Sequence, residues 1–317
     1  MRILTDTHYP FIENRRKAYL VSGAAILVGL LAVVWNLTSI GSWVNYGVDF
    51  TGGTLVQVAF TADVTRAEVA EAVGDGSTVV QFGTASEYVI RAPLAEGTEV
   101  VTVREQIESE LGQSFGPGTF TIVRTELVGP TIGEELQRKA ALAILISFLL
   151  TLVYLAFRFE VRFGVAAVIA TIHDLVITLG IIALFRMEVQ LPTIAAILTI
   201  VGYSINDKIV IFDRIRENLH KKGARKEDPI ALINRSINET VPRTVMTGLS
   251  VLASLLSLLF LGPAALRDFS LVLFLGIVIG TYSSVFIGSS ALVEIQHRWG
   301  TAEEAKAKKR RPEPASV

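Results

Sequence analysis

The chain has 317 residues, 51% of them hydrophobic, and a formal net charge of −1. So apolar a composition belongs to a membrane protein, and the near-zero charge implies no nucleic-acid partner. Cysteine is absent, which excludes disulfides, thiolate metal sites and cysteine nucleophiles, and none of the four histidines has metal-ligand spacing.

About 20 apolar residues of helix cross the roughly 30 Å hydrocarbon core of a bilayer. Six long apolar runs follow along the chain: 18–36, 140–157, 163–185, 191–212, 244–261 and 269–293. The first is preceded by Arg15, Arg16 and Lys17 in the manner of a signal peptide. Its core is longer than a usual signal core and Thr38-Ser39-Ile40 is a poor cleavage site, so a retained anchor is expected. Between the first and second runs lies a polar segment of about 100 residues, enough for one small domain. Within it, 44–60 is β-rich, and 63–73 reads as a helix with Asp63 as its cap and Val64, Val69 and Val73 on its apolar face. Residues 78–82 and 88–92 read as strands, 98–111 as a helix ending at Gly112, and 119–127 as a last strand. The order β-α-β-β-α-β predicts a ferredoxin-like split unit.

The predicted architecture is therefore an α-helical polytopic membrane protein of six transmembrane helices with a small external α+β ferredoxin-like domain. Its divisions are an N-terminus and first helix (1–37), the external domain (38–137), a five-helix bundle (138–297) with a loop at 213–243, and a basic tail (298–317). Lys and Arg near span ends set orientation. Arg15, Arg16 and Lys17, the short basic segment 158–162, the loop cations and the tail cations Lys306, Lys308, Lys309, Arg310 and Arg311 all put both termini in the cytoplasm. Arg186 and Arg267 alone lie close to the later spans on the other side. Inside the loop, Asp228-Pro229 is a helix start, and Ile230, Ile233, Ile237 and Val241 share one face. That pattern suits a helix on the membrane surface or a solvated connector, with Pro242 setting an angle into the fifth span.

Charge inside the fourth run is the strongest functional signal. An ionised group at that depth costs about 2.5–3.5 kcal/mol on insertion scales. Asp207 lies past the middle of its span, where it either exchanges protons or pairs helices without titrating. Lys208 follows it, but neighbours on a helix point about 100° apart, so Lys208 is expected to snorkel towards the cytoplasm. Tyr203, Ser204 and Asn206 share the run. Asp213 and Arg214, at its end, read as interfacial charges. Arg243 opens the fifth span as a permanent cation, either a counter-charge for Asp207 or an ordinary anchor. His173 and Asp174 near the centre of the third span form either a proton relay or a polar contact to Ser204 or Asn206. Small residues at Gly248, Ser250, Ser254 and Ser257, and at Gly276, Gly280, Ser283, Ser284 and Gly288, predict close helix packing by the fifth and sixth spans. No phosphate loop or hydrolase triad is present, so energy must come from an ion gradient or a partner.

Four stretches carry a family resemblance: Gly47-Val48-Asp49-Phe50-Thr51-Gly52-Gly53-Thr54; Ile172-His173-Asp174; Val201-Gly202-Tyr203-Ser204-Ile205-Asn206-Asp207, running on to Phe212-Asp213-Arg214-Ile215-Arg216-Glu217-Asn218; and Ser236-Ile237-Asn238-Glu239-Thr240 with Arg243-Thr244. Over almost the whole chain they resemble the SecF family, subunits of the bacterial protein-export accessory complex SecDF within the RND superfamily. The resemblance implies a non-enzymatic subunit of the bacterial inner membrane, one RND-type half that pairs with SecD. It implies the SecYEG channel, YajC, a translocating preprotein and the lipid bilayer as further partners. The energy source would be the proton gradient, with no cofactor and no metal. The family's proton-responsive Asp and Arg fall on Asp207 and Arg243, with His173, Asp174, Asn206, Tyr203 and Asp213 in support. Asp49, Gly52 and Gly53 read as a tight backbone link rather than a ligand site. Two departures stand out: Lys208 replaces a residue that is often a small hydroxyl in the family, and the loop before Arg243 is slightly long. An RND-type transporter half for lipids or small amphiphiles, and a passive scaffold, are the competing readings.

Overall fold

The computed structural model describes residues 8–74, 77–81, 86–92, 100–221, 227–263 and 266–298. The basic tail and the loop cations Lys222, Arg225 and Lys226 lie outside them. In chain order the elements are α1 (Arg15–Ser39), β1 (Asn45–Tyr46), α2 (Val48–Thr51), β2 (Gly53–Phe60), α3 (Arg66–Val73), β3 (Thr78–Gln81), β4 (Glu87–Ala92), α4 (Val100–Phe115), β5 (Phe120–Val128), α5 (Pro130–Arg158), α6 (Val161–Leu184), β6 (Glu188–Val189), α7 (Leu191–His220), α8 (Pro229–Leu261) and α9 (Arg267–Ser283). The last helix passes through one π turn, Ser284–Gly288, and continues to Arg298. Among the described residues six helices are long and apolar enough to cross a membrane, and the protein is a multi-pass membrane protein.

The sheet domain has the strand order β3-β4-β2-β5, antiparallel throughout. Alternation dictates its core: Val56, Val58 and Phe60 of β2 and Tyr88, Ile90 and Ala92 of β4 face the same way, against Val69 and Val73 of α3 and Val103, Ile107 and Leu111 of α4. Two local expectations are corrected. The cap of α3 is Thr65, not Asp63: its hydroxyl accepts from Glu68 N, while the Glu68 carboxylate accepts from Thr65 N at 2.7 Å. This reciprocal box satisfies two orphan donors, which Asp63 two residues upstream does not reach. Helix α4 also runs through Gly112 to Phe115, and Gly116, at φ +88°, follows it.

The connection 213–243, expected to hold a helix, is helical over most of its described residues. Helix α7 extends to His220, and α8 is a single helix of 33 residues that carries Pro242 inside it. Pro229 at its first position and Asp228, which accepts from Ala231 N at 3.0 Å, start it as expected. Its early apolar face covers no membrane surface. Ile233 and Ile237 are buried in a cluster with Ile211, Phe212 and Ile215 of α7, and Ile230 and Val241 pack on the same cluster. Glu239 accepts from Arg214 Nε at 2.6 Å and Asn218 Nδ2 at 2.9 Å, which closes the α7–α8 clasp. The chain before α1 is strapped over this clasp: Asn238 exchanges two 3.0 Å bonds with the Tyr9 backbone, and Asn234 Oδ1 accepts from Ile12 N.

Helix packing follows small residues unevenly. A Cβ on Gly276 would stand 2.1 Å from Ile200, and one on Gly280 would stand 3.0 Å from Ser204, so α9 lies tight on α7. Gly29 and Gly180 let α1 and α6 touch backbone to backbone. The fifth-span series behaves differently: Ser250, Ser254 and Ser257 of α8 are exposed. Ser254 and Ser257 donate to their own helix backbone.

Candidate functional site

Helices α6, α7, α8 and α9 meet around two successive residues of α7, Asp207 and Lys208, whose exposures are 3% and 0%. The roughly 100° between neighbours sends the two side chains to different faces. Lys208 therefore reaches back one turn and across to α6. Its Nζ donates to Asp174 Oδ2 at 2.7 Å and to the Ser204 hydroxyl, which itself donates to the same Asp174 oxygen. His173 Nδ1 stands 3.0 Å from Asp174 Oδ1. The expectation that Lys208 snorkels is thus overturned. The pair with Asp174 satisfies its charge where it lies, so reaching for water is unnecessary. Asp174 meets Ser204, one of the two contacts weighed for it, whereas Asn206 is exposed in a groove between α5 and α7.

Asp207 has the opposite environment. Its Oδ2 is buried and, among the described residues, has no hydrogen-bond partner. The same holds for the hydroxyls of Tyr203 on α7, Thr244 on α8 and Thr281 on α9. Tyr203 and Thr281 both border Gly248. Tyr203 is one turn before Asp207, and Thr244 one turn before Gly248, so these groups form a polar strip where three helices meet. A buried polar group left unpaired costs about 1–3 kcal/mol, and more when charged. Arg243 is exposed at this junction, within electrostatic reach of Asp207, and among the described residues it makes no ion pair. Asp213 does not join the strip. It pairs with Arg158 at the end of α5.

The Gly-Gly motif is a joint between sheet domain and bundle. Gly52 and Gly53 adopt φ of +75° and +149°. A Cβ on Gly53 would meet Ala92 O at 2.8 Å, and one on Gly133 of α5 would meet Phe50 O at 2.7 Å. Asp49 Oδ2 accepts from Leu191 N at 2.9 Å and so holds the first turn of α7. Next to it, β1 pairs in parallel with β6, and Arg91 of β4 forms a mostly buried ion pair with Glu188 of β6. Burial pushes the Arg91 guanidinium down from its usual value, while Asp268 and Asp49 oppose that shift. The sheet domain is thereby pinned three residues ahead of the helix that carries Asp207.

Sequence reasoning missed Thr244 and Thr281 as parts of the site, and the partner of Lys208. A usable signal existed for the latter. Asp174 and Lys208 are opposite charges within neighbouring spans, and such groups find each other inside a bilayer.

The profile described as protein export membrane protein SecD/SecF, C-terminal, matches residues 107–298, and the SecD/SecF GG motif matches residues 40–64. The protein translocase subunit SecF of Gemmatimonas aurantiaca is 42% identical over 96% of this chain and 92% of its own length. That of Desulfurispirillum indicum is 40% identical over 92% of this chain and 93% of its own. The crystal structure of SecDF, a translocon-associated membrane protein from Thermus thermophilus, superposes with a TM-score of 0.77 at 40% identity over 94% of this chain. This chain spans about two fifths of that longer one, its match covering 40% of it. With both SecD/SecF profiles matched and relatives about 40% identical along nearly their whole length, the chain belongs to the SecF family of protein translocase subunits.

Proposed function

We propose that this chain is the proton-coupled subunit of a protein-export accessory complex, with Asp207 as its proton-exchanging group and Arg243 as the fixed counter-charge. Membership of the translocase-subunit family supports the role in protein translocation. The single observation that carries the proton step is the Asp207 carboxyl: buried, without a hydrogen-bond partner among the described residues, and within reach of an exposed guanidinium. Adding a proton there removes a full charge from a low-dielectric site, which changes both its desolvation cost and its attraction to Arg243. Across a membrane potential each charge moved supplies about 2.3 kcal/mol per 100 mV. The change acts on α7, and α7 begins at the Asp49 cap and the Arg91–Glu188 pair that hold the sheet domain.

In this reading the chain pairs with a SecD-type partner, as its joining to SecD sequence in one Thermus thermophilus chain named SecDF suggests. It works beside SecYEG and YajC on a translocating preprotein. It sits in the bacterial inner membrane with both termini in the cytoplasm and the sheet domain outside, and it needs no cofactor beyond the proton gradient. Tyr203 and Thr244 line the proton site, while His173 and Asp174 belong to a separate paired cluster.

The test is preprotein translocation driven by an imposed proton gradient, in membrane vesicles carrying Asp207→Asn. Gradient stimulation is expected to disappear while the protein accumulates normally. Undiminished stimulation would refute the proposal.

A further inference from the structure

Asp207 and Lys208 are consecutive, equally deep and oppositely treated. All three donors of the Lys208 ammonium have acceptors: Asp174 Oδ2 at 2.7 Å, the Ser204 hydroxyl, and Ser204 O at 3.5 Å. Asp174 is in turn saturated by Lys208, Ser204 and His173. The cluster also joins three helices. Ser204 packs against Gly280 of α9, and the Ser284 hydroxyl, at the start of the π turn, donates to Gly280 O at 2.7 Å and to Ser204 O at 3.5 Å.

The charged and titratable groups around Lys208 are few among the described residues. Helix α6 presents His173 and Asp174, α7 presents Asp207 and Tyr203, and α8 presents Arg243, within electrostatic reach of Asp207. From α9 and its π turn come the hydroxyls of Thr281, Ser283 and Ser284. Without the ammonium, Asp174 would be a second buried carboxyl with no permanent cation, left with the titratable His173 and the Ser204 hydroxyl. Such a group takes up a proton instead of remaining charged, and the bundle would then hold two competing proton sites.

We propose that Lys208 is a positioning residue of the coupling cycle: it keeps Asp174 permanently paired, ties α7 to α6, and so confines proton exchange to Asp207. The inference rests on the proton-coupled reading above. It makes Lys208 neither a proton carrier nor a counter-charge for its sequence neighbour. Lys208 removes a rival.

The experiment uses the full chain co-expressed with its SecD-type partner in lipid vesicles. Infrared difference spectra between acidic and alkaline buffer report protonated buried carboxyls, and gradient-driven translocation is measured on the same vesicles. The parent complex is expected to show a buried-carboxyl band that Asp207→Asn removes. Lys208→Met should gain a second band that Asp174→Asn removes, and its gradient stimulation should fall by about tenfold. The double variant Lys208→Met/Asp174→Asn, which strands neither member of the Lys208–Asp174 pair, should recover stimulation and the parent pH profile. It also decides the matter should Lys208→Met fail to accumulate.

No Asp174-dependent band in Lys208→Met, or a double variant with no gradient stimulation, would overturn the inference. If Asp207→Asn keeps its stimulation, the proton-coupled reading fails by itself, whatever Lys208→Met does.

Discussion

Single residues divide here into those whose surroundings are local and those whose surroundings come from another helix. Thr65 and Glu68 are of the first kind. The backbone N–H and hydroxyl of Thr65 hold the Glu68 carboxyl below its usual value, so the folded state favours its ionised form. That contribution is complete above the ordinary carboxylate range and is lost as pH falls through the lowered folded-state value. Protection factors of the α3 amides, taken against the intrinsic exchange rate at each pH, should therefore fall on acidification, and Glu68→Gln should remove this pH dependence. Thr65→Ala should destabilise the helix start by about 1 kcal/mol in the same measurement. Lys208 is of the second kind. Its charge is answered by Asp174, 34 positions earlier, and the only local acceptors named for it, those of Ser204 one turn back, are neutral. Local reasoning sent it to the surface for that reason.

At the scale of elements, the connection of sheet domain to bundle rests on a few polar contacts around the head of α7. Glu188→Ala would strand Arg91, whose side chain is only 13% exposed, and breaking one partner of such a pair costs about 3 kcal/mol. Faster exchange of the β4 amides is the expected signature, with α4 far less affected. Asp49→Ala removes the acceptor for Leu191 N and should fray the first turn of α7 by about 1 kcal/mol, seen as faster exchange there. In both variants Asp207 keeps its site, so gradient-driven translocation is expected to drop while the Asp207 carboxyl still titrates in infrared spectra. Translocation at the parent level in both would show that this joint transmits nothing. The β-α-β-β-α-β order was legible because strand alternation and helix periodicity are short-range patterns. The joint was legible only in part: the glycines announced a tight backbone, but Asp49 acts on a residue 142 positions away.

For the whole molecule, burial is unequal among the six helices. The apolar windows of α6 and α7 are 56% and 50% buried within the chain, those of α5 and α8 only 11% and 17%. Helices α6 and α7 are therefore core, and the outer faces of α5 and α8 are left to lipid or a partner. Gly276→Val should drive into Ile200 and cost about 1–3 kcal/mol, lowering the yield of folded protein in detergent. Ser257→Val, on the exposed side of α8, should leave that yield unchanged. The six spans, their order and the class of the inserted domain were written in the sequence, because bilayer length and apolar periodicity are properties of contiguous residues. The presence of Asp207, Lys208, His173 and Asp174 at membrane depth was equally plain. Which of these charges is matched and which is left alone depended on how α6, α7, α8 and α9 come together in space. Electrostatic partnership inside a bilayer is a matter of distance across helices, and one-dimensional spacing carries no measure of it.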